Sequence, residues 1–185
     1  MKLSFYTTFM KSTVIHTGLI LCLLFMPAIS ACCYAQKPFQ IDEQRILKNE
    51  NLDGFITRLQ TEHFTFFNTK DKIPTFIKEQ LPINDSDLAN PDEPFTSSDV
   101  VFDATLPFRQ LRFGAISNDL VILSYIKEGF ASFKVIWLIK YKNNTVEDVW
   151  LNHTFCEDVN SIKGILDCLN ENYKDKPVTG QMIEH

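Results

Sequence analysis

An exported α+β domain is what this sequence predicts, and three observations carry that reading. A helical apolar period fills the chain from about residue 42 to 67, alternation with period two takes over from Ser98, and one further helical stripe closes it. The predicted architecture is N-terminal helices, a four- to five-stranded antiparallel meander and a C-terminal helix packed on the sheet. Residues 1–31 (or 1–35) read as a signal peptide, 32–45 as a tether, 46–176 as a single domain and 177–185 as a tail.

The signal comes first. Residues 1–35 hold no acid and two basic residues, Lys2 and Lys11. An apolar run from Gly18 to Met26 follows, then Pro27 and the small residues Ala28, Ser30 and Ala31. That is the order of a secretory signal. The run is about half the roughly 20 apolar residues that a transmembrane helix needs. Two cleavage sites overlap. Ile29-Ser30-Ala31-Cys32 resembles the lipobox of bacterial lipoproteins, which implies lipidation of Cys32 and a stable two-chain anchor. Cys33-Tyr34-Ala35 before Gln36 fits the ordinary signal peptidase instead. Cleavage there leaves an even pair, Cys156 and Cys168, whereas cleavage before Cys32 leaves an odd Cys33. Either way the expected location is the bacterial periplasm or outer envelope, lipid-anchored or soluble.

Without residues 1–35 the chain keeps 16 basic residues (18 − 2) against 23 acids, a formal charge of −7. Nucleic acid and anionic membrane surfaces both need a basic footprint, so they are excluded as partners. Membrane contact is expected only through an anchor at Cys32.

The domain opens with Leu52, Phe55, Ile56, Leu59, His63, Phe66 and Phe67 on one helical face, which predicts a helix from Asp42 to Leu59, or to Phe67 where Thr61–Phe67 does not form a strand. Pro74, Phe76, Ile77 and Leu81 predict a second, short helix with proline in its first turn. Residues 82–97 hold three prolines and three aspartates and read as the longest loop. Strands are predicted at Val101–Leu106, Arg109–Ser117, Asp119–Lys127, Ala131–Lys142 and Thr145–Phe155, with turns at Asn118-Asp119, Glu128-Gly129 and Asn143-Asn144. In the fourth strand Phe133, Val135, Trp137, Ile139 and Tyr141 oppose Lys134, Ile136, Leu138 and Lys140. Apolar residues on both faces mid-strand require cover on both sides of the sheet. Ile162, Ile165, Leu166, Leu169 and Tyr173 form the closing helical stripe, capped by Asp158, Asn160 or Ser161. A helix followed by a curved meander resembles the cystatin-like and NTF2-like architectures, a likeness of fold that implies no activity.

Chemistry is sparse in the sequence. His153, Cys156 and Cys168 invite a Cys–His pair or a metal site, but residues three apart in a strand face opposite ways. A disulfide from the strand end to the closing helix is the expected fate of the two cysteines. His63 reads as a satisfied histidine at a core margin, and Asp103 as a carboxylate paired with Arg109 or Arg112. The acids Asp85, Asp87, Asp92 and Glu93 lack the spacing of a calcium loop. Asn84, Asn143 and Asn152 begin Asn-x-Ser/Thr triplets, which matter only in a eukaryotic secretory pathway. No catalytic, cofactor-binding or metal-ligating set emerges. The leading expectation is a non-catalytic envelope protein that binds a small ligand or a protein. The alternatives are a hydrolase-like enzyme with a site near His63, Asp103 or His153, and an inhibitor or immunity protein using the acidic 82–97 loop.

Overall fold

A computed structural model describes residues 38–96, 105–127, 133–174 and 176. The expected signal, Cys32, Asp103, positions 101–104 of the predicted first strand, the predicted turn at Glu128-Gly129 and the expected tail fall outside these residues.

The helix predicted from Asp42 to Leu59 is two helices. Helix α1 spans Glu43–Leu47 and is capped by the Asp42 carboxylate, while α2 spans Leu52–Thr61. Between them Asn49 takes a left-handed backbone, φ 55°. The Asn49 N–H donates to the Ile46 carbonyl and the Glu50 N–H to the Arg45 carbonyl, the two reverse bonds of a helix-ending Schellman motif. Asparagine tolerates that conformation and leucine or lysine does not, so the break falls where the sequence reads Asn49-Glu50-Asn51. Helix α2 buries Leu52, Phe55, Ile56 and Leu59, the predicted stripe.

Beyond α2 the helical period does not continue. Glu62 is extended (φ −89°, ψ 156°), and Thr65–Phe67 forms strand β1. A short helix α3, Thr75–Gln80, starts after Pro74. The loop predicted at 82–97 contains an unburied 3-10 turn at Asp85–Asp87 and a buried two-residue strand β2, Leu88–Ala89. Thr105 and Leu106, predicted as a strand end, form a turn.

The meander follows as β3 (Arg109–Ile116), β4 (Leu120–Lys127), β5 (Phe133–Lys142) and β6 (Thr145–Thr154), paired antiparallel in sequence order. The outer edge of β3 carries two partners. β1 pairs antiparallel at Gly114–Ile116, and β2 pairs parallel at Arg109 and Gln110. Gly114 is required where β1 docks, because a Cβ there would fall inside the Phe67 ring. The β5–β6 turn places Asn143 and Asn144 at φ 51° and 59°, the left-handed pair of a two-residue hairpin.

Both faces of the central strands are buried: Val121, Leu123, Trp137 and Ile139 on one, Leu120, Ile122, Ile136 and Leu138 on the other. The chain supplies the cover itself. Phe76 of α3 packs on Tyr141 at 5.0 Å between ring centres, on the Trp137 face. On the opposite face Asp148 and Trp150 of β6 meet the α1–α2 segment through Arg45, Asn49 and Asn51. The exposed edge of β6 is capped by side chains rather than by another strand. Gln80 accepts from the Val146 N–H, and Asn51 donates to the Val149 carbonyl. This satisfies backbone groups that would otherwise template association.

The C-terminal helix α4 spans Ile162–Asn172, with the Ser161 hydroxyl accepting from the Gly164 N–H. Its neighbour by backbone contact is α2. It reaches β6 through individual side chains: Cys168 Sγ lies 3.4 Å from Thr154 Oγ1, and the Tyr173 hydroxyl donates to the His153 carbonyl.

Candidate functional site

The predicted candidates do not converge. His63 is exposed, not at a core margin, because α2 ends at Thr61 and the chain turns out to join the sheet edge. His153 pairs with Val135 at the far side of the sheet. Four strand spacings separate β1 from β6, about 19 Å at the usual interstrand distance, so the two histidines cannot share a substrate atom. The Asp103 pairing lies outside the described residues. Arg109 stands 5.4 Å over the Tyr125 ring and also donates to the Pro82 carbonyl.

The sulfurs of Cys156 and Cys168 stand 2.08 Å apart, at disulfide distance, with their Cα atoms 5.8 Å apart. His153 and Cys156 form no dyad. The His153 ring lies against Phe133, with 6.1 Å between centres, whereas Cys156 turns toward Thr154. Among the described residues no group of three histidine, cysteine or acidic side chains is arranged to hold a metal ion.

Three surface clefts are formed by described residues. One of about 530 Å³ is lined by Pro74, Phe76, Glu79, Ile116 and Tyr141. Burial, with Asp119 and Glu62 nearby, raises the Tyr141 phenol above its ordinary pKa, so it stays protonated and donates to the Ser117 carbonyl. A second cleft, of about 360 Å³, lies between α1, α2 and the β5–β6 hairpin. Its cations are already engaged: Arg45 with Asp148 at 3.0 Å, Lys140 with Glu147 at 2.8 Å, and Arg58 with both Glu62 and Asp119. A third, of about 380 Å³, runs past Lys48, Asp53 and Tyr173. Neither histidine nor cysteine lines any of the three.

The acids of the 82–97 loop are partly engaged within the molecule. Asp85 pairs with Lys78 at 2.7 Å. Asn90 donates to Glu93 from both backbone and side chain, and these bonds lower the Glu93 pKa. Asn152 is 1 % exposed and is no glycosylation acceptor in the folded protein, whereas Asn84 and Asn143 are exposed.

What the sequence did not single out is an aromatic cluster at one end of the sheet. Phe155 is 74 % exposed, its ring 5.2 Å from that of Phe133, which also touches His153. Phe108, 45 % exposed, opens β3 at the same end. The sequence placed Phe155 inside the last strand, whereas β6 ends at Thr154 and leaves the Phe155 side chain beyond the alternating pattern. No protein-family model matches the chain, and no curated protein or solved structure is similar enough to match it.

Proposed function

We propose that the protein is a non-catalytic, exported envelope protein that binds a protein partner through the aromatic end of its sheet. One observation carries the reading: Phe155 projects from the end of β6 against Phe133 with three-quarters of its surface in water. Exposed, mutually packed aromatics are the usual anchors of protein interfaces. Export is supported by the order of residues 1–35, and anchoring by the lipobox-like Ile29–Cys32.

The test is site-specific photo-crosslinking in the native host, with the probe at position 155 and a control probe at exposed Ser86. A discrete heterologous adduct at 155 that is absent at 86, and lost in Phe133→Ser, supports the proposal. Adducts that are equal at both positions, or absent from both, refute it.

A further inference from the structure

We propose that the Cys156–Cys168 pair is a thiol-sensitive latch on helix α4, opened by an external dithiol that attacks Cys156. Three observations converge on it. The two sulfurs differ in access, since Cys156 is partly exposed and Cys168 is only 4 % exposed. The pair sits among hydrogen-bond donors rather than in a purely apolar pocket. Thr154 Oγ1 lies 3.0 Å from Cys156 Sγ and 3.4 Å from Cys168 Sγ, and Asn172 Nδ2 lies 3.3 Å from Cys156 Sγ. The Cys156 N–H donates to the Thr154 oxygen, and the Thr154 hydroxyl donates in turn to Cys156 Sγ. Finally, α4 is tied to β6 by side-chain links near its C-terminal half, of which this pair is the covalent one.

The exchange runs in two steps. A thiolate of the dithiol attacks Cys156 Sγ and forms a mixed disulfide. The Cys156–Cys168 bond breaks, its electron pair leaves on Cys168 Sγ, and that sulfur takes a proton from solvent. The second thiol of the reductant then attacks its own sulfur in the mixed disulfide, releasing Cys156 as a thiolate and leaving the reductant oxidised. The difficult moment is the departure of a buried thiolate. Thr154 is the positioning residue there, because its hydroxyl, which donates to Cys156 Sγ at 3.0 Å, lies 3.4 Å from Cys168 Sγ and can turn to that sulfur as its charge develops. A hydrogen bond to a charged group makes its removal slow the step roughly tenfold or more.

Opening the pair does not unfold the protein. Ile165 and Leu169 stay buried, and Asn49 still holds the carbonyls of Tyr173 and Lys176. What changes is the local equilibrium: with the 12-residue separation no longer cross-linked, α4 opens roughly 100-fold more often.

The experiment uses the mature protein, with intact mass recorded before dithiothreitol is added. The expected results are an oxidised starting mass, reduction without denaturant, and α4 amides (162–172) exchanging well ahead of those in β4 and β5 once reduced. Thr154→Val slows reduction about tenfold, and Thr154→Ser retains the native rate. Two free thiols at the outset, resistance to reduction until the protein unfolds, exchange of α4 in step with the sheet, or equal rates for Thr154→Val and the native protein would each overturn the proposal.

Discussion

Asn49 joins three parts of the chain, and replacing it with alanine tests whether that junction organises the helical layer. Its Nδ2 donates to the Tyr173 carbonyl at 3.1 Å and to the Lys176 carbonyl at 2.9 Å, and its Oδ1 accepts from Trp150 Nε1 at 2.9 Å. Alanine adds two costs. Placing a Cβ residue without a polar side chain at φ 55° costs about 1 kcal/mol. Leaving the Trp150 N–H unpaired, with the residue 0 % exposed, costs about 1–3 kcal/mol. The expected loss is therefore about 3 kcal/mol, or roughly 10 °C in Tm for a chain of this size. Urea unfolding followed by tryptophan fluorescence measures it. Asn49→Gly separates the two contributions, because glycine keeps the backbone at no penalty and should recover about 1 kcal/mol. Asn49→Ala within 0.5 kcal/mol of the native protein, or Asn49→Gly no better than Asn49→Ala, would refute the reasoning.

Other perturbations probe separate joints. Gln80 bridges the Asn144 carbonyl and the Val146 N–H, so Gln80→Ala should cost about 1–3 kcal/mol and speed amide exchange at Val146. Gly114→Ala should displace Phe67 and loosen β1, seen as faster exchange at residues 65–67 while β4 and β5 stay protected. Tyr173 is raised above its ordinary pKa, chiefly by burial, and Tyr141 by burial and by Asp119 and Glu62. A raised folded value means that the neutral phenol stabilises the fold below about pH 10 and that this contribution is lost as pH climbs through the folded values. Stability should accordingly fall on the alkaline side, and Tyr173→Phe should flatten that fall; an unchanged profile for the phenylalanine variant would contradict the assignment.

Most of the sheet was legible because β3 to β6 obey the period-two rule and their turns carry residues that accept left-handed backbone, Asn143 and Asn144 above all. The apolar centre of β5 correctly required cover on both faces, although it could not say that the cover was intramolecular. The sequence misled where one periodicity ran through a boundary. Leu52 to Phe67 keep helical spacing, yet Thr65–Phe67 pairs with β3, since β-forming residues next to an open strand edge gain backbone hydrogen bonds that another helical turn cannot match. The break at Asn49 was visible in principle, as two asparagines flanking Glu50 are poor helix formers. The strand at Leu88–Ala89 was not, because two residues carry no period. The aromatic end of the sheet was hidden for a related reason: Phe133 lies in β5, His153 in β6 and Phe155 just after it, and only strand register brings the three together.

Under the proposed function the protein is exported, and its domain is closed by its own helices and tied at Cys156 and Cys168. Intact mass of the protein purified from its native host tests this most directly. The account predicts a chain lacking its signal, beginning at a diacylated Cys32 or at Gln36, and short of its reduced mass by the two hydrogens of one disulfide. A chain that begins at Met1 with the Cys156 and Cys168 thiols free would contradict it.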